Sequence, residues 1–420
     1  MAERGVQNRW WVVFTTITAF IAGQGVILFS GGVFLKPVAQ DLHFGRGTFS
    51  TGMGISGVIG SFGVLPLGWL MDRYGMRVVM LPLIVLFALF TAALSLLSSS
   101  VFLLMLLFTC QGFFSSVQGP TGFTKMISAR FDDKRGLALG IALAGGGLGM
   151  ILLPQYARLL LGNFGWRAGY LGLAVAMIVL SFIPVAIFFK EPEEMKKDRE
   201  MRKARGKVDN PALPGITLSE ALRTPKYWVL IASILLMLTA VDGVMVHMVP
   251  MLTDRGISVK MAVGAMGVGG FTLIVGRVIA GYLLDKIWAV YIAIFFLLMP
   301  MLGIGILISG AAGWWPAVAV VTIGLSIGAE FDLMAYFLGR YFGIRAFGML
   351  MGVILFFVGF ANASGMMLMG WCFQLKHSYV PMLWAFEAFL VVAIVLISCM
   401  GQYRYPAPKK QKAEQLVTAS

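Results

Sequence analysis

Charge is what this sequence has least of. Only 12% of its 420 residues are Asp, Glu, Lys or Arg, about half the ~25% usual in soluble domains, while 59% are hydrophobic. A soluble fold could not keep that much apolar surface dry, which excludes an ordinary soluble enzyme or binding module. Cysteine is scarce too. Cys110, Cys372 and Cys399 all fall inside apolar runs, without loop partners or metal spacing, so they read as small packing residues and exclude a disulfide framework or a thiolate metal site. No alternating polar–apolar strands occur, which excludes a transmembrane barrel. Acidic residues number 19 against 33 basic ones, a net charge of +14. The basic residues sit in short connections between apolar runs, a pattern of topology signals and not of a nucleic-acid face. Gly145–Gly149 reads GGGLG, but no strand precedes it and no βαβ acidic residue follows, so it is no nucleotide loop.

What the chain does have is length of apolar run. Stretches of about 20 apolar residues, enough to cross a ~30 Å hydrocarbon core, recur along it. They predict an all-α polytopic membrane protein with twelve transmembrane helices. The spans fall at roughly 10–35, 48–70, 76–97, 101–125, 136–160, 167–189, 226–250, 260–284, 288–309, 315–338, 346–371 and 379–401. Arg4 and Arg9 precede the first run, which lacks a small-residue cleavage site and is expected to be an uncleaved span. Lys and Arg gather at both termini and after even-numbered spans: Arg73 and Arg77, then Arg130, Lys134 and Arg135, then Arg340 and Arg345. The connections near Ser98–Ser100 and Ala311–Gly313 carry no charge. The positive-inside rule then puts both termini in the cytoplasm and the chain in the cytoplasmic (inner) membrane.

One long hydrophilic, basic segment divides the spans six and six. The expected organisation is a six-helix bundle over 1–189, a cytoplasmic basic linker over 190–225, a second bundle over 226–402 and a cytoplasmic tail over 403–420. Short helices are expected in the first part of the linker and at Ser219–Leu222, and attraction to anionic lipid heads is a compatible secondary role. The halves repeat each other. GWLMDRYGMR (Gly68–Arg77) after span 2 is echoed by GYLLDK (Gly281–Lys286) after span 8. ARFDDKRGLALG (Ala129–Gly140) is echoed by GRYFGIRAFGML (Gly339–Leu350), which sets Arg130 against Arg340 and Arg135 against Arg345. The two bundles are therefore expected to be pseudo-symmetric.

The pattern Gly68-x-x-x-Asp72-Arg73-x-Gly75-x-Arg77 resembles the signature loop of the major facilitator superfamily. KRGLALGIALAGGGLG (Lys134–Gly149) is similar to its monocarboxylate-porter and oxalate/formate-antiporter branch. Three positions depart from that branch. AGQGVILFSGG (Ala22–Gly32) carries no acidic residue in span 1, Phe108 stands at the span-4 arginine position, and span 11 offers Asn362 instead of a second basic residue. The resemblance implies alternating access between two bundles, with no enzyme activity and no cofactor.

The residues themselves suggest the parts. Gly68 and Gly75 would permit a close helix approach and a tight turn. Asp72, with Arg73 or Arg77, would latch one face shut, with Asp285–Lys286 as a worn second copy. Glycines in spans 5 and 11 would let backbones approach in lipid. Arg277 is a charge within an apolar helix, where insertion costs roughly 2.5–3.5 kcal/mol, so it needs a partner, a wet cavity or a task. Two readings stay open: a bidentate anchor for a carboxylate, or a structural partner of Glu330 or Asp332. Those two acids sit about 200° apart around span 10, so one can face a cavity while the other faces a helix. Glu330, Asp332 and Asp242 are the proton-carrier candidates. His247 is expected to be a satisfied helix-end residue. Gln24, Gln111, Gln118, Gln155, Tyr156, Tyr336 and Asn362 would complete a mixed pocket.

One arginine without a second cation points to a mono-anion. The expected function is proton symport of a small organic monocarboxylate, with an aromatic body suited to the pocket. The expected partners are that anion, protons and the lipid bilayer, with no nucleic acid, in a monomer. Two other readings stand beside it: an exporter of hydrophobic compounds, and a non-transporting membrane sensor, for which no appended signalling domain is visible.

Overall fold

The computed structural model describes residues 2–131, 135–189, 215–284, 286–311, 313–343 and 345–405. These are almost entirely helical. Among them, ten stretches are long and apolar enough to cross a membrane. One of the ten, Leu137–Phe188, is 52 residues long. It turns back on itself at Gly165, whose φ of 83° and ψ of 173° are available to glycine. The two limbs then pack side by side, and Tyr156 donates its hydroxyl to the carbonyl of Gly172. Span 5 (residues 135–164) and span 6 (166–188) are thus two passes of one hairpin.

Span 1 begins with Ala2–Gln24 and continues through a π-turn, Gly25–Phe29, into Gly31–Asp41. The turn has a local cause: both the N–H and the hydroxyl of Ser30 donate to the carbonyl of Gly25, at 2.9 and 2.7 Å, five residues back. With this helix and the hairpin, the passes agree with the twelve expected. The others are span 2 (Arg46–Tyr74), span 3 (Met76–Ala93), span 4 (Val101–Ser115 and Pro120–Arg130), span 7 (Pro225–Asp254), span 8 (Val259–Leu284), span 9 (Ala289–Ser309), span 10 (Trp315–Phe342), span 11 (Phe347–Lys376) and span 12 (Val380–Ser398). The predicted boundaries fall within about five residues of these except in span 1, where the helix runs from Ala2 to Asp41 against an expected 10–35.

The short helix expected before span 7 forms as Leu218–Leu222. Thr217 and Glu220 close a capping box over its first turn, and those hydrogen bonds hold the exposed Glu220 carboxyl below the usual carboxylate range. Just before it, Ile216 N–H donates to the Phe342 carbonyl. The first helix expected in the linker lies outside the described residues. At the other end, residues 403–405 are packed where a tail was expected. Tyr403 accepts a hydrogen bond from Ala289 N–H at 2.7 Å, and its ring lies under the Arg340 guanidinium at 4.2 Å.

Two long seams join the halves: span 2 runs along span 11, and span 5 along span 8. Glycine makes both possible. A Cβ at Gly147 would sit 2.7 Å from the carbonyl oxygen of Gly270, and one at Gly359 would sit 2.7 Å from that of Gly57. Along each seam the closeness changes. Call the end at Phe189 and Gly215 the linker face and the opposite end the far face. Gly140 and Gly281 lie toward the linker face and have nothing within 4 Å of a built Cβ, as have Gly348 and Gly352. Toward the far face, Gly370 of span 11 presses against Ser50 of span 2, and beside the seams Gly32 of span 1 presses against Val246 of span 7. The halves meet at the far face and part at the linker face.

Candidate functional site

Two cavities lie between the halves. The central one, about 230 Å³, is bounded by spans 1, 2, 4, 6, 10 and 11. The larger one, about 790 Å³, lies toward the linker face between spans 5, 8, 10 and 11. Phe331 and Leu355 line both, so these two side chains form the wall between them.

Arg277 lines the larger cavity with Asp332. Its placement follows from the close packing of spans 8 and 10. A Cβ at Gly328 would fall 2.1 Å from the Leu273 carbonyl oxygen, so only glycine lets span 10 lie this near the backbone of Arg277. The guanidinium is poorly satisfied. Its Nε donates to the Gly328 carbonyl at 3.4 Å and stands 3.7 Å from Asp332 Oδ2, and its buried Nη1 has no acceptor. A buried donor without an acceptor costs about 1–3 kcal/mol, more for a charged group. Arg277 therefore pairs loosely with Asp332 and keeps donors in reserve.

The roughly 200° between Glu330 and Asp332 has the expected consequence. Asp332 faces the larger cavity. Glu330 turns into the second half and lines a small apolar cavity of about 40 Å³ with Ser233, Met237 and Ile397. Glu330 lies near enough to Arg277 and to Asp242 for their charges to interact. Two carboxyl groups thus act on one guanidinium, and Asp242 of span 7 joins the cluster through Glu330.

Of the amides expected in the pocket, Gln111, Gln118 and Asn362 line the central cavity. Gln111 donates to Thr91 Oγ1 at 3.1 Å and Gln118 to Ser181 Oγ at 2.8 Å. Span 1 makes room for Gln118 at Gly23, where a Cβ would lie 2.6 Å from the glutamine Cβ. The side chain of Gln24 lies outside the described residues. Gln155, Tyr156 and Tyr336 line neither cavity. Gln155 accepts from Arg158 Nε one turn along, Tyr156 joins the limbs of the hairpin, and Tyr336 packs against Tyr403. Helical spacing alone does not reveal that each faces a neighbour within its own half.

Of the expected linker-face latch, the described side chains have partners other than a carboxylate. Arg73 lies over the rings of Trp69 and Tyr74, and Arg77 donates to the Ala186 carbonyl at the end of span 6, not to a carboxylate. Gly75 makes the tight turn, with φ 102°, but Gly68 has nothing within 4 Å of a built Cβ, so the close approach expected there is absent in this conformation. Lys286 turns back onto Tyr282. The side chains of Asp72 and Asp285 lie outside the described residues.

The sealed end is held by residues that sequence reasoning missed. Asp254, closing span 7, accepts from Lys36 Nζ at 2.8 Å and from Arg46 Nη2 at 3.0 Å, with a second, shorter contact to Arg46 Nη1. Arg46 also donates to Tyr379 Oη at 2.9 Å and stacks over Phe373 at 3.7 Å. Gln374 accepts from Gly47 N–H at 2.9 Å, and Thr51 Oγ1 from Trp371 Nε1 at 2.9 Å. His247 is buried and satisfied: its Nδ1 donates to the Gly243 carbonyl, leaving Nε2 to accept from Ser50 Oγ at 3.0 Å. Apart from the bond within span 7, each of these contacts joins one half to the other. The only signal in the sequence was a charge at the end of each of three spans, which reads equally as ordinary loop chemistry. Beside this seal, Asp41 ties the end of span 1 to the hairpin. It accepts from Trp166 Nε1 and Arg167 Nη1, and these contacts, the Trp166 bond first, hold its exposed carboxyl below the usual range.

The model of the Major Facilitator Superfamily matches residues 15–366. The chain belongs to the major facilitator superfamily. It is a multi-pass membrane transporter and not an enzyme. A Bacillus subtilis MFS-type transporter, YcxA, is 25% identical over 93% of this chain and 92% of its own length. Mouse monocarboxylate transporter 12 is 26% identical over 180 residues. That match covers 38% of this chain and 37% of the mouse protein, so the chain spans little more than a third of that relative. Among solved structures, a point mutant of the nucleoside transporter NupG superposes with a TM-score of 0.75 at 10% identity, covering 94% of this chain and all of that one. A bacterial homolog of the human lysosomal transporter Spinster, inward-facing and occupied, gives 0.69 at 16% identity over 94% and 97%. At such identities these two likenesses speak for the fold.

Proposed function

We propose that this transporter moves a small organic monocarboxylate by proton symport, its two six-helix halves rocking about the cavities in alternating access. The observation that carries the reading is Arg277. It is a guanidinium with unmet donors on the wall of a largely apolar cavity, where a planar carboxylate would complete its hydrogen bonds. The central cavity has no charged residue in its lining, so a second anionic group would find no cation there. The partial likeness to monocarboxylate transporters supports the same substrate class.

Coupling follows from the charge count. Asp332 competes with substrate for Arg277, and a chain of three carboxyl groups that meets one arginine carries net negative charge unless it takes up protons. Proton uptake would free Arg277 for the anion. In this reading the linker face is cytoplasmic, both termini are inside the inner membrane, and the protein stands in an inward-open state. The Gly68–Arg77 and Gly281–Lys286 motifs close the cytoplasmic face in the opposite state.

Uptake into proteoliposomes, for a panel of carboxylates with and without a pH gradient, tests this. Arg277→Gln should lower carboxylate uptake by about 10-fold or more, the loss expected for charge-assisted hydrogen bonds. Arg277→Lys should recover only part of it, lacking the planar fork. Full uptake in Arg277→Gln would leave Arg277 as a structural partner of Asp332. Indifference to carboxylates with a response to lipophilic compounds would favour an exporter.

A further inference from the structure

The central cavity has a polarity that the arginine cavity lacks. Three of its serine hydroxyls are already spent as donors, and two of its amide oxygens are buried without a donor. Ser61, Ser115 and Ser116 spend their hydroxyl protons on carbonyls of their own helices: those of Gly57 at 3.3 Å, Gly112 at 2.7 Å and Phe113 at 2.6 Å. Each keeps an acceptor oxygen on a cavity-lining residue. Gln118 is 4% exposed, and its Nε2 is taken by Ser181, which leaves Oε1 buried without a donor. Across the cavity, on the other half, Asn362 Oδ1 is likewise buried without a donor. Unmet acceptors in an apolar enclosure are costly, and native structures leave few of them unexplained.

The two cavities touch through Phe331 and Leu355. A ligand anchored on Arg277 therefore has one route deeper into the protein, past those two side chains toward Gln118 and Asn362. The lining there bears no carboxylate to balance an ammonium and no cation to balance a second anion. The group that fits is neutral, compact and a hydrogen-bond donor.

We propose that the substrate is a hydroxylated monocarboxylate. Its carboxylate binds Arg277, and a distal hydroxyl, carried on an apolar or aromatic body, shares its one proton in the central cavity between Gln118 Oε1 and Asn362 Oδ1 in a three-centre bond. This rests on the reading that Arg277 binds the carboxylate, and it adds the chemistry of the far end of the substrate. Because Gln118 stands in span 4 and Asn362 in span 11, the hydroxyl also bridges the halves. It can thereby report an occupied site to both.

Competition in proteoliposomes carrying the full-length protein tests this, with three aryl-alkanoic acids of equal chain length: unsubstituted, para-hydroxy and para-methoxy. The methoxy group keeps the oxygen and removes the donor. The hydroxy acid should compete about 10-fold better than the methoxy acid, the scale of one or two hydrogen bonds in a buried site. In Asn362→Leu and Gln118→Leu that ratio should fall to about 2 or below. Asn362 makes no hydrogen bond in the structure, so its variant reports on the site even where loss of the Gln118–Ser181 bond impairs folding. A ratio near 1 in the wild type, or an undiminished ratio in both variants, overturns the proposal. A methoxy acid that competes better means the amides turn N–H groups to the cavity, which overturns it as well. If the unsubstituted acid competes and loses that ability in Arg277→Gln, the carboxylate reading stands whatever the ratio. If no acid competes, both readings fail.

Discussion

Replacing Asp254 with Asn should unlock the far face. The carboxylate lies between Lys36 and Arg46, and side-chain exposures of 26% for Asp254 and Lys36 and 15% for Arg46 leave the group half-shielded. At an effective dielectric near 20, a contact pair is worth about 4–5 kcal/mol gross. Desolvation, side-chain entropy and solvent screening cut this to about 1–3 kcal/mol net for the cluster. Asn keeps the size and one acceptor oxygen but not the charge, and it leaves two cations side by side. The closed far face should therefore lose about 2 kcal/mol relative to the open one, a shift of roughly 30-fold in their ratio. Arg46 would still hold Tyr379 and Phe373, so the seal should weaken without vanishing.

Spin labels at exposed Gln40 and Lys260, in a variant lacking Cys110, Cys372 and Cys399, span this seal. Pulsed dipolar distances in the wild type should show mainly the short separation. Asp254→Asn should add a longer component. High salt should enlarge that component in the wild type more than in the variant, because the variant has already lost its ion pairs. An unchanged distance distribution in Asp254→Asn, at low and high salt alike, would show that the apolar seam closes the far face and that the ion cluster only decorates it.

The acids on span 10 should separate by role. Asp332→Asn removes the competitor for Arg277 and should tighten carboxylate binding at neutral pH. Glu330→Gln, away from that cavity, should leave exchange of labelled substrate largely intact while weakening its response to a pH gradient; equal responses in both variants would refute the division. Gly328→Val would drive a side chain into the Leu273 carbonyl, and overpacking of this kind costs typically about 1–3 kcal/mol. Its unfolding temperature in detergent should drop by several degrees, and an unchanged value would mean that spans 8 and 10 separate freely.

The helices were legible because lipid leaves a chain few options. Every backbone group must be satisfied within its own segment, so apolar length alone marks a span. The face of each helix was less legible. Glu330 and Asp332 could be split because two charges on one helix at a known spacing cannot share a direction. Gln155, Tyr156 and Tyr336 could not be excluded from the pocket, since their partners, Arg158, Gly172 and Tyr403, are set by hairpin and strap packing that no local pattern encodes. The far-face cluster was hidden for a further reason. Lys36 and Arg46 each meet Asp254 across more than 200 positions of sequence, and each alone sits where any loop charge would.

While that hidden cluster holds the far face, the described side chains of the most recognisable motif in the sequence stay within their own half. Arg77 donates to its own half, Arg73 covers aromatic rings and Gly68 has open space beside it. A motif read from sequence carries no label for the state in which it acts. The seams cannot close at both ends, because spans 2 and 11 and spans 5 and 8 are stiff rods already pressed together at Gly370, Gly147 and Gly359. Closing the linker face around Gly140 and Gly281 requires the far face to part, and the bonds that must then break are those of Asp254, Gln374 and His247. The linker-face motifs must repay that loss when they engage. In the proposed cycle their repetition, with three charges in the first copy and two in the second, supplies the opposing latch.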